Sequence, residues 1–245
     1  MLLIDETGLK VHRFDLLEKA LQCTERIIRE RIIPNANAFP DCPVGIVTDW
    51  DETIAIQYTG VEQLSKMKET FELSKPPLYA KTKEPNYVLR TLVIGMIMKI
   101  REKYNAELHV VTARPMFVED NNREIDNVVP TKEELKECNF PCDELVLAPF
   151  QHHTIKSSEI REDNVWAYKE LQRLSRERLF CFLVSFGDKS WDVMSQEVMT
   201  HIEEIMRRDE NYSVDDDPGI FVVHVHDPVC RKESIGIKLN CFDQT

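Results

Sequence analysis

The stretch Val44-Gly45-Ile46-Val47-Thr48-Asp49-Trp50-Asp51-Glu52-Thr53 joins a short apolar run to a cluster of acidic side chains. The apolar part has the length and composition of a buried strand, and it stops where the acidic residues begin. Two carboxylates placed two residues apart, as Asp49 and Asp51 are, can do different chemical work where a strand turns. The same pair can also simply cap a turn, so its meaning depends on the rest of the chain.

Four further apolar runs end in polar residues. Strands are predicted at 108–111, 144–147, 179–186 and 220–225, followed by Thr112-Ala113-Arg114-Pro115, Ala148-Pro149, Gly187-Asp188 and His226-Asp227-Pro228. Helical patterns at 87–104 and 165–178 lie between them, and this alternation predicts an α/β fold with a doubly wound, Rossmann-like parallel sheet and helices on both faces. Ligands bind beyond the carboxyl ends of such strands, so the polar strand ends should meet at one edge.

The chain is expected to form a single domain over residues 1–245, with a core at about 43–228. Apolar residues between Phe14 and Ile33 recur at helical spacing, and Pro34 is expected to end that helix. Residues 1–40 therefore read as a helical extension. Its role stays open, because it can pack on the sheet, cover the active edge or mediate dimer formation.

Charge and composition limit the partners and the compartment. The formal net charge of −12 comes from 43 acidic against 31 basic residues, which disfavours nucleic acid and anionic membranes as partners. The seven cysteines show no regular spacing and favour reduced thiols. The N-terminus does not resemble a secretion signal, and the apolar run 92–98 is too short to span a bilayer. We expect a cytoplasmic protein.

A second acidic cluster follows the predicted strand at 179–186. Asp188 and Asp192 are spaced four residues apart and can share one face of a turn. Mg²⁺ prefers hard oxygen ligands and takes only a few of them from protein, so Asp49 together with Asp188 would suit it. The alternative is an ordinary strand-to-helix turn that Asp188 caps.

A phosphate group would also need hydrogen-bond donors and positive charge. Thr112 offers a hydroxyl at a strand end, and Lys169 lies 19 positions before Asp188 in a predicted helix. Each has an ordinary alternative, because a single threonine or lysine of this kind is commonly structural or solvated. The four elements gain weight from occurring together and in this order.

The ordered set resembles the motifs of the haloacid dehalogenase-like (HAD) superfamily. Its first motif, Asp-x-Asp-x-Thr after an apolar strand, is matched by Asp49-Trp50-Asp51-Glu52-Thr53, and its second, a strand that ends in Thr or Ser, by Val110-Val111-Thr112. Its third motif is a lysine, for which Lys169 fits best and Lys156 is the alternative. Its fourth is matched by Gly187, Asp188 and Asp192. The resemblance spans about residues 43–228.

The resemblance implies a magnesium-dependent phosphomonoester hydrolase with an aspartyl-phosphate intermediate. Asp49 would be the nucleophile, Asp51 the general acid and base, and Thr112 and Lys169 the phosphate ligands. Mg²⁺ would be held by Asp49, the backbone carbonyl of Asp51, Asp188 and, directly or through water, Asp192. Arg114 is a candidate substrate contact. The alternatives are a phosphoryl transferase of the phosphomutase type and a non-catalytic binding protein with the same fold.

Substrate choice in that superfamily depends on inserted cap modules. Here the interval 57–86 has room for only a small flap, and the interval 115–143 is similarly short. The layout resembles the near-capless acid phosphatase and polynucleotide 3′-phosphatase branch, whose open sites accept bulky phosphate esters. We expect a phosphorylated small molecule as substrate. A nucleic-acid end is disfavoured by the charge, and the oligomeric state stays open.

Overall fold

A computed structural model describes residues 2–4, 10–14, 17–38, 43–58, 71–73, 86–120, 123–149, 158–193, 220–226 and 235–240. The strands are β1 Leu2–Ile4, β2 Lys10–Phe14, β3 Val44–Thr48, β4 Ala55–Tyr58, β5 Phe71–Leu73, β6 Asn86–Arg90, β7 Glu107–Pro115, β8 Phe117–Asp120, β9 Arg123–Asp126, β10 Glu144–Ala148, β11 Phe182–Gly187, β12 Ile220–His226 and β13 Ile235–Asn240. The helices are α1 Leu17–Ala38, α2 Thr91–Tyr104, α3 Val128–Glu137, α4 Ser158–Glu177 and α5 Ser190–Val193.

The central sheet is eight-stranded, in the order β1-β2-β13-β12-β11-β3-β7-β10. The four strands β11, β3, β7 and β10 are mutually parallel, which confirms an α/β architecture consistent with a Rossmann-like fold. Every residue of β3 and β11 is buried, as a strand covered on both faces requires. The chain adds β7 and β10 on one side of β3 and then returns to add β11 on the other side. This reversal of direction lies between β3 and β11.

Helices cover both faces of the parallel strands. Ile46 of β3 packs in a core cluster with Ile28 of α1 and Ile97 of α2. Its neighbour Val47 points to the opposite face, where it packs in a second cluster with Tyr168 of α4. Successive strand residues alternate between faces, so these two neighbours serve separate layers of the core. The expected helices on both faces are therefore confirmed.

Some of the predicted elements are wrong in direction or extent. Strand β12 pairs antiparallel with β11, so the run of four adjacent parallel strands ends at β11. Beyond β12, strands β13 and β2 form a further parallel pair. Helix α1 does not end at Pro34 but continues to Ala38, and the N-terminal extension also contains the strands β1 and β2. The helical pattern at 87–104 splits into β6 and α2, because residues 86–90 pair with β4 and β5 in a small antiparallel sheet.

The start of β11 is also later than predicted. Leu179 and Phe180 donate their backbone N–H groups to the carbonyl of Arg176 and so complete the last turn of α4. Cys181, just before the strand, is disulfide-bonded, whereas Cys23, Cys138 and Cys142 are reduced. The expectation of reduced thiols is therefore wrong for Cys181 and confirmed for the other three described cysteines. Within the described part of the chain, no helix has the length and apolar character needed to cross a membrane.

Candidate active site

The loop after β3 directs two aspartates away from the core. Trp50, which separates them, is fully buried and packs edge-on against Phe140 at 5.3 Å between ring centroids. The backbone N–H of Asp49 continues the sheet by donating to the carbonyl of Phe186 at 3.1 Å. Because Trp50 anchors the middle of the loop, Asp49 and Asp51 both lie at the carboxyl-terminal edge of the parallel strands.

A tight turn then carries the chain back toward β11. Glu52 adopts a left-handed backbone conformation, with φ of 60°, and its N–H donates to the carbonyl of Ala55 at 2.8 Å. This conformation is unusual for a residue with a side chain and stores a modest strain. The turn brings the hydroxyl of Thr53 to Asp188, where it donates to Oδ1 at 3.2 Å. Thr53 thereby links the first acidic segment to the second.

The second acidic segment follows β11 and is fixed by a close approach at Gly187. A Cβ atom on Gly187 would lie 2.3 Å from Cβ of Asp192, so only glycine leaves room for this carboxylate. Oδ2 of Asp192 accepts a hydrogen bond from the backbone N–H of Lys189 at 3.1 Å. Asp188 and Asp192 are both largely buried. The sequence Gly-Asp and the later Asp thus form one compact corner.

Lys169 of α4 joins the two acidic segments. Its ammonium group lies 3.1 Å from Oδ1 of Asp49 and 2.6 Å from Oδ1 of Asp192, and it donates to the carbonyl of Val111 at 2.7 Å. Burial by itself lowers the pKa of Lys169, but the two carboxylates outweigh burial and hold the pKa above its ordinary value. The lysine is therefore charged. Lys156 lies outside the described residues.

Three carboxylates of the site are close enough to share one cation. Oxygen atoms of Asp49, Asp188 and Asp192 all lie within 4.8 Å of one another. Burial raises the pKa of Asp49 to about 7 against the opposing charge of Lys169, and repulsion by Asp192 adds to the rise. Burial and the charge of Asp49 raise the pKa of Asp188 to about 7. Burial likewise raises the pKa of Asp192 to about 6, against the charge of Lys169.

This donor set fits a hard divalent cation. All three groups offer carboxylate oxygens, which is the ligand type that Mg²⁺ and similar ions prefer. Their pKa values are raised first by burial and then by repulsion from one another, so Lys169 alone does not hold all three in their charged forms. A cation placed among them would stabilise the charged forms against both burial and repulsion. The same chemistry would suit several divalent ions, so the donor set does not by itself select magnesium.

Asp51 lies beside this cluster and is held from the neighbouring strand β7. Arg114 forms a bidentate ion pair with it, through Nε to Oδ2 at 2.7 Å and Nη2 to Oδ1 at 2.6 Å. The hydroxyl of Thr112 points to Oδ2 of Asp51 at the longer distance of 3.4 Å and accepts the backbone N–H of Arg114 at 3.2 Å. The structure thus brings both strand-end residues of β7 to Asp51.

Two residues that contribute to the site, Glu134 and Tyr168, were not identified by any motif in the sequence. Glu134, a buried residue of α3, pairs with Arg114 at 2.6 Å and accepts the indole N–H of Trp50 at 2.7 Å. It lies 84 residues from Trp50 along the chain, so no local pattern connects them. Tyr168, next to Lys169, directs its hydroxyl to the carbonyl of Thr112 at 3.2 Å. Thr53, by contrast, is part of the Asp-x-Asp-x-Thr pattern and could have been picked out from it.

Comparison of the chain with protein-family models, with curated proteins and with solved structures finds no match. The fold and the geometry of the site are therefore the basis for any functional conclusion. What they define is an α/β protein with a buried acidic cluster at the carboxyl-terminal edge of its parallel strands, at the point where the strand order reverses.

Proposed function

We propose that this protein is a magnesium-dependent phosphomonoester hydrolase of the HAD-like type, with Asp49 as its nucleophile. The observation that carries the proposal is the junction of Asp49, Asp188 and Asp192 around the ammonium group of Lys169. A buried cluster of three carboxylates, two of which contact one lysine, is costly for stability and is the kind of arrangement found at functional sites. Its place at the switch point of the sheet supports the same conclusion.

The proposed reaction has two steps. In the first, a carboxylate oxygen of Asp49 attacks the phosphorus atom and forms an acyl phosphate, while the bond to the leaving oxygen breaks and Asp51 gives that oxygen a proton. In the second, water transfers a proton to Asp51 and attacks the same phosphorus. This step releases inorganic phosphate and restores the carboxylate of Asp49. Asp51 thus ends each cycle with the proton that it held at the start.

The remaining residues would prepare the site for an anion. Asp49, Asp188 and Asp192 would hold Mg²⁺, with the carbonyl of Asp51 as the further ligand that the family pattern implies. Bound there, the ion would offset negative charge on the phosphate oxygens. Lys169 is placed to balance the charge of Asp49, and Thr112 lies at the strand end expected to bind phosphate. The substrate would be a phosphorylated small molecule, and the compartment would be the cytoplasm.

The direct test is turnover of p-nitrophenyl phosphate with and without Mg²⁺. We expect hydrolysis that stops on chelation and returns when Mg²⁺ is restored. Asp49→Asn should reduce turnover to background while thermal unfolding shows a folded protein, because an amide oxygen is a poor nucleophile. Glu133→Gln, which removes an exposed carboxylate from α3, is the matched control and should leave turnover unchanged. Full activity of Asp49→Asn would rule out the mechanism.

A further inference from the structure

A buried arginine reaches the general acid and base candidate from the protein side. The guanidinium of Arg114 is 3% exposed, whereas 36% of the Asp51 side chain is exposed. The two hydrogen bonds between them are nearly equal in length, at 2.7 and 2.6 Å, and engage both carboxylate oxygens. A bidentate pair of this kind fixes the plane of the carboxylate as well as its distance. The solvent-facing side of Asp51 stays available to a substrate.

The arginine is in turn held by a second carboxylate, that of Glu134, which is more deeply buried than that of Asp51. Glu134 accepts from Nη1 of Arg114 at 2.6 Å and from Nη2 at 3.1 Å, and it also accepts from the indole of Trp50 at 2.7 Å. Trp50 directly precedes Asp51 in the chain. The contacts therefore close a ring from Asp51 through Arg114 and Glu134 back to Trp50. Two members of this ring, Trp50 and Asp51, belong to the loop that also carries Asp49.

We propose that Arg114 is a positioning residue that orients Asp51 for proton transfer and that Glu134 holds it in place. The inference rests on the proposed function. Arg114 remains charged throughout, since a guanidinium does not deprotonate in proteins, so the proton exchanged with the substrate is that of Asp51. That proton would be carried on the exposed side of the Asp51 carboxyl group, away from the two hydrogen bonds of Arg114. Its nearly complete burial and its pairing with two carboxylates fit a role behind Asp51 better than a contact with substrate.

The test compares two substrates of nearly the same shape and different leaving groups. Phenyl phosphate needs a proton on its leaving oxygen more than p-nitrophenyl phosphate does, because phenol is the weaker acid. The value of kcat/KM reports only the steps up to formation of the acyl phosphate and excludes its later hydrolysis. We expect Arg114→Gln to lower kcat/KM for phenyl phosphate about tenfold more than for p-nitrophenyl phosphate. Arg114→Lys should recover part of that difference.

Two comparisons separate positioning from a structural effect. Arg176→Gln removes another buried arginine, near the far end of α4, and should leave the ratio of the two kcat/KM values at the wild-type level. Asp51→Asn should change the ratio in the same direction as Arg114→Gln and by more. Adding Arg114→Gln to Asp51→Asn should then bring no further change in the ratio, because both substitutions act on one proton transfer.

Equal losses for the two substrates, or a rise in KM with kcat unchanged, would overturn the inference in favour of a structural or substrate-binding role. If Arg114→Gln does not fold, Glu134→Gln carries the test, since it keeps an oxygen for Trp50. Glu134→Gln should also lower kcat/KM more for phenyl phosphate than for p-nitrophenyl phosphate, although by a smaller factor. An equal loss of kcat/KM for the two substrates would overturn the proposal. Absence of magnesium-dependent hydrolysis in the wild type would refute the proposed function itself. If Asp51→Asn changes the ratio of the two kcat/KM values and Arg114→Gln does not, this inference alone would be refuted.

Discussion

The two edges of the parallel strands both carry buried charged side chains, and they differ in how those charges balance. At the carboxyl-terminal edge, Asp49, Asp188 and Asp192 lie close together, and Lys169 contacts Asp49 and Asp192. With all groups ionised, three carboxylates against one ammonium leave two negative charges. Lys189 also approaches Asp188 at 3.8 Å, but its side chain is about half exposed and screened by water.

At the amino-terminal edge a buried arginine has a carboxylate partner that is half exposed. Arg176 pairs with Glu144 at 2.8 Å, and its Nε donates to His109 at 3.0 Å. The imidazole also lies 3.3 Å from Glu107, and the side chains of Glu144 and Glu107 are 49% and 62% exposed, so water screens both carboxylates. Gln172 accepts a hydrogen bond from Nη1 of Arg176. Arg176 thus finds all of these partners within the protein. The group reads as a structural bond between α4 and the strands.

The difference shows which cluster is built for a ligand. A buried arginine whose carboxylate partners face water is satisfied by folding and by solvent, whereas an excess of two negative charges in a buried site is satisfied by a divalent cation. The position of the unbalanced cluster agrees with this, since it lies where the strand order reverses. The burial of its carboxylates therefore distinguishes the candidate site from the structural cluster at the other edge of the same sheet.

Replacement of the cation in each cluster should give the largest contrast. Lys169→Met leaves buried carboxylates without their partner, and we expect it to lower the free energy of unfolding by about 3–5 kcal/mol and to abolish turnover. Arg176→Met should also destabilise the protein but leave turnover per folded molecule unchanged. Urea denaturation together with p-nitrophenyl phosphate hydrolysis measures both quantities. Wild-type turnover by Lys169→Met would break the distinction between the two edges.

The dependence of stability on pH and Mg²⁺ should come next in size. The pKa of Asp49 and that of Asp188 are raised to about 7, above the value near 3.9 of an unfolded aspartate, so the metal-free folded state binds more protons between these limits. The free energy of unfolding should therefore fall as pH rises from about 4 to about 7. Mg²⁺ at about 100 times its Kd should restore about 2.7 kcal/mol at pH 8.

The stabilisation by Mg²⁺ should be much smaller at pH 5, because protons compete for the same carboxylates. Thermal unfolding at the two pH values, with chelator and with Mg²⁺, measures the difference. A stability that rises with pH in the metal-free protein, or an equal effect of Mg²⁺ at both values, would mean that the cluster is already balanced without a cation.

The smallest effect concerns the glycine beside the site. Gly187→Ala would place a methyl group 2.3 Å from Cβ of Asp192, and we expect a loss of about 1–3 kcal/mol together with weaker Mg²⁺ binding. Gly95→Ala is the matched control, because nothing lies within 4 Å of the added Cβ and the site is in the middle of α2. That change should stabilise the protein by about 0.5–1 kcal/mol. Equal changes in the free energy of unfolding for the two substitutions would show that the residues around Asp192 shift to make room for the methyl group.

The sequence predicted the parts of the site that follow directly from strand ends. An apolar run that stops at a polar residue marks a carboxyl end, and parallel strands bring such ends together, so Asp49, Thr112 and Asp188 were found from the pattern alone. Lys169 followed from its order in the family pattern. In the structure all four lie at the same edge of the sheet.

Contacts between distant elements could not be predicted in this way. The pairing of Glu134 with Arg114 and Trp50 depends on how α3 packs against β3 and β7, which hydrophobic periodicity does not encode. Periodicity also identifies a strand without its direction, and β12 runs antiparallel to β11. Residues 87–89 form a short apolar run that suits a helix or a strand, and pairing with β4 and β5 decides for the strand.

The most direct test of the central claim is capture of the acyl phosphate on Asp49. The protein would be mixed with p-nitrophenyl phosphate and Mg²⁺, quenched in acid during turnover, reduced with borohydride and digested for mass spectrometry. Reduction converts an aspartyl phosphate to homoserine, and we predict homoserine at position 49 only when substrate and Mg²⁺ were both present. An unmodified Asp49 in protein that is turning over substrate, or modification at another aspartate, would contradict the account.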